Sequence, residues 1–499
     1  MKIEFSITTT RYLSLMIPAL FLLGVLMPVI GHYGLNFDEV FSATLSQHFS
    51  SIVEMVRTQE NNMILHYLLL WLWMPLGDGS ETFLRLPSVI LTLLALIPLH
   101  AAARRISTET IANTCCFVFV SHFLILNHAI TCRGYALAVL INTLVFWSWA
   151  RAWQTQETRH WLYTGLLAGL SIWAHYFCAL LPPVLLIAML WRDGLKQPWV
   201  KILLALVAFI LVAMPIVLTR PAAGAEQISW IAPPDLRAIR TTLWMVLGSN
   251  GQLQRLVLIA TLSLIVCMLT LRSKWAFNEG HWRNINIGLA VGLLLIITAV
   301  LIESWVWQPL FIYRYFTPLV PVYCIVVAAG LTLLWPWLRI TLLALLLASS
   351  AWEIHKAFTM PIPSHVWWRS MIEQIAPLIK PDDTLLVYPF FLRMPVDYYL
   401  GRFDHEQQLP RPTEYAAGYY RPGGGQDPDP DWQTLQTISR STHGRVWFIA
   451  HEDKLPSTRT LNRARAPAIR KQLLTNRRQV YELRYLNLTV QAFEVPPAH

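Results

Sequence analysis

Charged residues are scarce in this chain of 499 residues. Asp, Glu, Lys and Arg together make up 14% of it, whereas hydrophobic residues make up 55%. A typical soluble domain carries about 25% charged residues, so the composition excludes an ordinary soluble enzyme. Many apolar runs approach or exceed the roughly 18–20 residues that cross a bilayer. The chain is therefore predicted to be a multi-pass membrane protein, with the lipid bilayer as a partner.

Cysteine is also scarce, and its spacing excludes the usual metal-binding patterns. The six cysteines all lie in or beside apolar runs, and none follows Cys324. Cysteines in such surroundings normally serve packing alone. We therefore predict that the C-terminal part of the chain contains no disulfide.

Acidic residues are outnumbered by basic ones, which gives a net charge of +10 at pH 7. The basic residues are scattered among the predicted membrane loops rather than gathered in one patch. A membrane protein that obeys the positive-inside rule has the same excess of Lys and Arg. Nucleic acid is therefore not predicted as a partner.

The apolar runs predict about eleven membrane spans. Lys and Arg concentrate at one end of them, as at Arg104-Arg105, which indicates a cytoplasmic N-terminus and a C-terminus on the outer face. The run Met63–Leu76 is short for a span, and we interpret it as a juxtamembrane or re-entrant helix in the outer leaflet. The predicted location is a bacterial inner membrane, with a periplasmic or extracellular C-terminal domain.

The composition changes after Phe358. Apolar runs of strand length occur at Thr384–Tyr388, Arg445–Ala450 and Val480–Arg484, and helical spacing occurs between them. Strands that alternate with helices predict a small α/β domain with a largely parallel sheet. We expect its helices at Val366–Ile379 and Trp432–Ile438.

The change in composition after Phe358 predicts two domains. The first, residues 1–357, is predicted to be a mainly α, polytopic helical bundle in the membrane. Its first outer loop, residues 31–84, would carry juxtamembrane helices and catalytic acids. The second, residues 358–499, is predicted to be a soluble extracytoplasmic α/β domain.

The first outer loop contains two adjacent carboxylates, Asp38 and Glu39, just beyond the first apolar run. Unpaired charge near hydrocarbon is costly, so its presence calls for a function. A second acid, Glu60, follows in the same loop. The alternative is that the adjacent pair only complements a helix N-terminus, and that Glu60 is simply solvated.

Arg85, Arg133 and Arg314 also fall at predicted outer ends, where the positive-inside rule disfavours cations. A carboxylate at this depth can act as a general base towards an acceptor hydroxyl. Arginines beside it can bind a phosphate and stabilise its charge as it leaves. Together these groups suit transfer of a sugar from a lipid-linked phosphate. The alternative is that these arginines lie at helix ends and only extend their charged groups to the membrane interface.

Several blocks resemble the GT-C membrane glycosyltransferases, in particular the superfamily of protein O-mannosyltransferases and lipid A aminoarabinose transferases, with its bacterial Rgt-like branch. The resemblance covers about residues 10–335. The matching blocks, in chain order, are Phe37-Asp38-Glu39, Leu65–Trp71, Arg85-Leu86-Pro87-Ser88, Ile130–Leu137, His175-Tyr176-Phe177 and Arg314–Pro318. The chain departs from the family at Asn61-Asn62-Met63-Ile64, where a His-Pro-Pro-like or Lys-Pro-like turn is common.

The resemblance implies a polyprenyl-phosphate-linked sugar as donor, a lipid, glycan or protein as acceptor, and inverting transfer on the outer face. It makes Asp38 the general base, Glu39 its neighbour and Glu60 the second acid, and it assigns the donor phosphate to the three outer arginines. No cofactor is certain, and a divalent metal is kept as an alternative. Six further side chains are expected to bind substrate: His66, Tyr67, Tyr135, His175, Tyr176 and Tyr315.

Two other functions fit parts of the pattern. A transporter or flippase of lipid-linked glycans would also have many spans, yet it would be expected to carry charge inside them. The apolar runs here are nearly free of charge. A non-catalytic envelope assembly protein with a partner-binding soluble domain is the second alternative, and it would tolerate loss of Asp38.

Overall fold

The computed structural model describes most of the chain. The described residues are 15–58, 60–219, 231–271, 280–359, 368–389, 392–403, 409–413, 431–441, 444–451, 465–485 and 488–496. Contacts between residues divide the chain into two units. The first consists of residues 1–30, 48–221 and 233–359, and the second of residues 31–47, 222–232 and 360–499.

Helices make up almost all of the first unit. They are α1 (Leu15–Leu26), α3 (Phe49–Thr58), α4 (Ile64–Trp73), α5 (Glu81–Ile106), α6 (Glu109–Ser121), α7 (Phe123–Ala129), α8 (Tyr135–Thr155), α9 (Thr158–Ala174), α10 (Leu181–Asp193), α11 (Trp199–Leu218), α12 (Leu236–Val246), α13 (Gln252–Leu271), α14 (Gly280–Val306), α15 (Val320–Leu331) and α16 (Pro336–Thr359). Short 3₁₀ helices precede α10 and α15, at Tyr176–Leu180 and Tyr313–Leu319.

These helices correspond to the apolar runs of the sequence. Among the described residues, eight helical stretches are long and apolar enough to cross a membrane, and the bent pair α6–α7 would make a ninth. The helices α1 and α9 fall at two further predicted spans. The segment Ile64–Leu76 is shorter than a span, and its interpretation as a juxtamembrane or re-entrant helix stays a prediction. The prediction of a polytopic helical bundle is confirmed.

The α6–α7 pair bends by 61° at His122, and neighbouring helices satisfy the backbone groups that the bend releases. The N–H of Phe123 donates to the carbonyl of Gly248 over 3.2 Å. The carbonyl of Ser121 accepts from the side-chain amide of Gln254 and the hydroxyl of Ser350. Backbone groups at membrane depth need such partners because no water reaches them. Hydrogen bonds from neighbouring segments thus stabilise the bend.

The second unit contains a four-stranded sheet of order β1-β2-β4-β3, formed by β1 (Thr384–Tyr388), β2 (Val446–His451), β3 (Arg478–Tyr485) and β4 (Leu488–Glu494). Its helices are α2 (Phe37–Leu45), α17 (Trp368–Ile375), α18 (Arg393–Phe403), α19 (Trp432–Arg440) and α20 (Arg465–Leu474). Alternate residues of the strands, such as Leu386 and Phe448, are fully buried with Leu435 of α19 and Ile469 of α20. A small sheet in the C-terminal part was predicted and is present.

The prediction of a largely parallel sheet is wrong. Only β1 and β2 pair in parallel, whereas β4 is antiparallel to both β2 and β3. The physical reason is that β3 and β4 are consecutive strands joined by a very short connection, and such a hairpin is necessarily antiparallel. The sequence analysis did not identify β4, and without it the alternation of strands and helices favoured a parallel arrangement.

Candidate functional site

Three segments of the first unit meet at Gly134. A Cβ atom added there would lie 3.1 Å from the carbonyl oxygen of Ala174, 3.1 Å from the side chain of Met63 and 3.3 Å from Cβ of His66. Glycine therefore allows the start of α4, the turn before α8 and the end of α9 to approach closely. Because these segments carry His66, Arg133 and His175, the structure brings together three predicted site residues that are far apart in sequence.

Aromatic rings line this junction. The ring of His175 lies 5.1 Å from that of Tyr135 and 6.0 Å from that of Tyr315. Tyr315 is also stacked on Phe177, with 4.0 Å between ring centroids, and the guanidinium of Arg314 lies 5.7 Å from the centroid of Tyr315. The 3₁₀ helices before α10 and α15 thus bring predicted substrate-binding residues into one aromatic cluster beside Arg314.

His175 is fully buried in this cluster, between α9 and the next span. Burial, then the guanidinium charges of Arg133 and Arg314, lower the pKa of His175 to about 3. Its imidazole is therefore neutral near pH 7. The Nδ1 atom accepts a hydrogen bond of 3.2 Å from the N–H of Phe177, so the proton of the neutral ring lies on Nε2.

The Nε2 atom of His175 has no hydrogen-bond partner within the described part of the chain. A buried donor without an acceptor is unfavourable unless a ligand completes it. His66 resembles it, since it is buried and its pKa is lowered to about 3 by burial and the charge of Arg133. The cluster therefore combines two guanidinium groups with a hydrogen-bond donor, which are groups suited to an anionic oxygen.

Arg85 lies in the same unit, one turn into α5, which begins at the capping hydroxyl of Ser80. The side chain is buried, and its Nη1 donates to the carbonyl of Ile30 over 2.8 Å. One turn further on, Ser88 donates to the carbonyl of Thr131 over 2.6 Å. This bond places the first part of α5 against the segment that leads to Arg133. Arg85 is thus a buried cation near the segment that carries the second predicted phosphate ligand.

The two asparagines at which the chain departs from the family form specific contacts. The side-chain oxygen Oδ1 of Asn62 accepts from the backbone N–H of Tyr176 over 3.2 Å, and Oδ1 of Asn61 accepts from the hydroxyl of the same tyrosine. Asn61 also donates to the carbonyl of Ile216 at the end of α11. The two asparagines thus hold the start of α4 against the 3₁₀ helix that contains Tyr176. Glu60, directly before them, is partly buried, and Tyr67, one turn into α4, is buried.

Asp38 and Glu39 belong to the second unit, in the first turn of α2. Glu39 is buried and forms a capping box: its carboxylate accepts from the N–H of Asn36, and its own N–H donates to the Asn36 side chain, both over 3.0 Å. Glu39 thereby stabilises the start of the helix, the role weighed as the alternative for this pair. Asp38 is only partly buried, and its backbone carbonyl accepts from the hydroxyl of Ser42 over 3.0 Å.

Residues far along the chain bind the segment before Asp38. The N–H of Leu35 donates to the hydroxyl of Tyr399, in α18, over 2.6 Å. Arg369, in α17, donates to the carbonyls of Gly31 and His32 over 3.4 and 3.1 Å. The structure thus shows that the acid-bearing segment is bound by helices of the C-terminal part of the chain.

Two residues outside the predicted site belong to these contacts, His128 and Tyr399. His128 is buried and stacked on Tyr135, with 4.2 Å between ring centroids. Its signal in the sequence was the polar pair Asn127-His128 at the end of an apolar run. Tyr399 gave no local signal, because its partner is 364 positions away.

Among the described residues, no three His, Cys, Asp or Glu side chains are placed so that they could hold a metal ion. A divalent metal therefore stays a prediction.

Known proteins resemble this chain both in sequence and in fold. Residues 61–218 match the family model described as dolichyl-phosphate-mannose-protein mannosyltransferase. None of the curated protein sequences matches the chain. ArnT from Cupriavidus metallidurans bound to undecaprenyl phosphate is 12% identical, with a TM-score of 0.63, and the match covers 97% of this chain and 98% of that chain. The chain has the GT-C fold.

A second solved structure is also similar to this chain in fold. The oligosaccharyltransferase AglB from Archaeoglobus fulgidus, in complex with an inhibitory peptide and a dolichol-phosphate, is 10% identical with a TM-score of 0.57. That match covers 98% of this chain and 74% of the archaeal chain. The resemblance to the GT-C superfamily stated from the sequence is confirmed. The GT-C fold extends over the C-terminal part of the chain, beyond the residues on which the resemblance rested.

Proposed function

We propose that the chain is a membrane glycosyltransferase that moves a sugar from a polyprenyl-phosphate donor to an acceptor hydroxyl on the outer face of the cytoplasmic membrane. The observation that carries the proposal is that the buried ring of His175 lies 5.1 Å from Tyr135 and 6.0 Å from Tyr315, which closely follow Arg133 and Arg314 in the chain. Phosphate is the leaving group of this reaction, and its charge grows as the glycosidic bond breaks. Two guanidinium groups and an N–H donor placed around that charge stabilise the transition state.

The remaining roles follow from the chemistry of the transfer. Asp38 takes the proton of the acceptor hydroxyl as the hydroxyl attacks the anomeric carbon, with inversion at that carbon. Glu60 is a second acid of the site. Arg85 adds a third positive charge for the phosphate, while Tyr135 and Tyr315 pack beside the ring of His175 and hold it in place.

ArnT was solved with undecaprenyl phosphate and AglB with a dolichol-phosphate. Both lipids are polyprenyl phosphates, which supports a lipid-linked donor here. The matched family description names a dolichyl-phosphate sugar in the same way. We infer that the phosphate of such a donor binds between Arg133, Arg314 and His175.

The test of the proposal is an Asp38→Asn variant. Loss of the general base is expected to lower sugar transfer by about 10²–10⁴-fold, because this is the usual contribution of a positioned base. Transfer is measured with purified protein, a polyprenyl-phosphate sugar and envelope extract as the source of acceptor. Glu54→Gln is the matched control, since Glu54 is an exposed carboxylate on α3. Near-normal transfer by the Asp38→Asn protein would contradict the assignment of the base.

A further inference from the structure

A polar cavity lies within the first unit, at the end of α5 opposite to Arg85. Its volume is about 570 Å³, and it lies where α5, α8 and α10 end and α6 begins. Arg85 and Arg105 are both on α5 and twenty residues apart, which corresponds to about 30 Å along a helix. The cavity is thus separated from Arg85 by roughly the thickness of a bilayer core.

Positive charge dominates this cavity. It is lined by two guanidinium groups, Arg105 and Arg192, and by one carboxylate, Asp193. Arg192 lies 3.4 Å from Asp193 and also stacks over Trp153, 4.4 Å from the ring centroid. Arg105 has no carboxylate within 4 Å in the described part of the chain. Arg104 and Arg151 lie close to it and add like charge.

The cavity is also held in shape by hydrogen bonds. Arg105 donates to the side-chain carbonyl of Gln154 over 2.9 Å, and the amide of Gln154 donates back to the carbonyl of Arg105 over 3.0 Å. This reciprocal pair joins the ends of α5 and α8. One guanidinium edge of Arg105 is therefore fixed, and Arg192 is held by the indole of Trp153, so the two cations are pre-arranged around one space.

Apolar side chains next to the cavity are exposed, as expected for a surface that contacts acyl chains. On α10 the indole of Trp191 is 54% exposed, and at the start of α11 Val200 is 74% exposed. Tryptophan at a membrane interface prefers the level of the lipid headgroups. Cationic pockets between membrane helices at the cytoplasmic side suit anionic headgroups.

We propose that this cavity binds the phosphate-bearing headgroup of an anionic phospholipid from the leaflet opposite the candidate site. Arg105 and Arg192 contact the phosphate, and the acyl chains follow the apolar surface of α10 and α11. The site does not take part in sugar transfer, so the inference is independent of the proposed function. Binding of this lipid stabilises the joined ends of α5, α8 and α10 and fixes their depth in the membrane.

The experiment titrates delipidated full-length protein with phosphatidylglycerol or with phosphatidylcholine of the same acyl chains, and counts bound lipids by native mass spectrometry. We expect about tenfold tighter binding of phosphatidylglycerol, and about fivefold weaker binding for each cation removed in R105Q and R192Q. The double Lys variant, R105K with R192K, keeps most of the affinity because the charge remains. R159Q is the matched control, since Arg159 is an exposed arginine at the same end that pairs with Glu157 outside the cavity.

Three outcomes would overturn the proposal. The first is equal affinity of the wild-type protein for the two lipids. This measurement does not depend on whether any variant folds. The second is an equal loss of binding in R159Q and in the cavity variants, which would mean a diffuse effect of surface charge. The third is binding of soluble glycerol phosphate as tightly as phosphatidylglycerol, which would assign the site to a free phosphate compound.

Discussion

A single buried histidine connects the predicted arginines of the first unit. The ring of His175 is influenced by the charges of both Arg133 and Arg314, although these residues are separated from it by 42 and 139 positions in the chain. Its neutral state makes its Nε2 atom a hydrogen-bond donor. At the scale of residues, the site thus consists of arginines and an N–H donor that distant segments of the chain bring together.

Arg314→Ala is expected to reduce use of the lipid-linked donor. Loss of a charge-assisted hydrogen bond to the phosphate, worth about 1.5–3 kcal/mol, lowers kcat/KM for the donor by roughly 10–150-fold. Arg314→Lys should recover part of this loss, because the charge remains while the planar fork is lost.

The control for this prediction is Arg57→Ala, since Arg57 is exposed on α3. Yield and melting temperature of the purified variants are measured beside the kinetics. A drop in kcat/KM of the same size in the Arg57 variant, or a drop explained by lost folded protein, would count against a phosphate ligand at position 314.

At the scale of elements, helix α2 is the part that carries the predicted base, and helices from elsewhere in its unit determine its position. Asn36 and Glu39 form a capping box at the N-terminus of α2. Tyr399 of α18 accepts from the N–H of Leu35, just before the cap, and Arg369 of α17 donates to two carbonyls a few residues earlier. The helices α17 and α18 therefore have a clear structural role, which is to hold the segment that leads to Asp38.

Tyr399→Phe tests this role of α18. The substitution keeps the buried ring but removes the acceptor of the Leu35 N–H, and an unsatisfied buried donor costs about 1–3 kcal/mol. We expect a lower kcat with little change in the KM for the donor, because the arginines that are proposed to bind the phosphate lie on other elements. Tyr398→Phe is the control, since Tyr398 is the neighbouring tyrosine on the same helix.

Faster amide hydrogen exchange at residues 31–38 in the Tyr399→Phe protein would accompany the kinetic effect. If the variant exchanges like the wild type while kcat falls, the hydroxyl acts in another way and the role given to α18 is wrong.

At the scale of the whole molecule, the ends of the spans differ in charge. The ends of α5, α8 and α10 carry Arg104, Arg105, Arg151 and Arg192 within one region of the first unit. The positive-inside rule places such an end in the cytoplasm. Arg85 and Tyr135, two residues of the candidate site, lie at the opposite ends of α5 and α8.

A reporter of membrane topology fused after Phe358 is therefore expected to be active on the outer face, and one fused after Ser107 in the cytoplasm. An alkaline phosphatase and a fluorescent protein give complementary signals at the two positions. Reversed signals would mean that the candidate site faces the cytoplasm, which would contradict the outer-face reaction.

Apolar run length was enough to predict most of the membrane helices, because a span must satisfy all of its backbone hydrogen bonds within the helix. The strand β1 was also predicted at its observed bounds, Thr384–Tyr388. The helices α18 and α20 were missed, since their short segments carry mixed apolar and polar residues with little periodicity. The strand β4 was missed as well, and with it the antiparallel character of the sheet.

The chemistry of the site was predicted from charged residues, such as Arg85 and Asp38, that are unfavourable at their predicted depth in the membrane. Its geometry was not readable, because the contacts at Gly134 and the ring cluster around His175 join segments that are distant in the chain. The sequence by itself determined the membrane bundle and predicted the kind of chemistry, since hydropathy and charge are local properties. Only the tertiary structure decided that Tyr399 holds the Asp38 segment and that Arg105 and Arg192 line one cavity, because each of these depends on which distant side chains pack together.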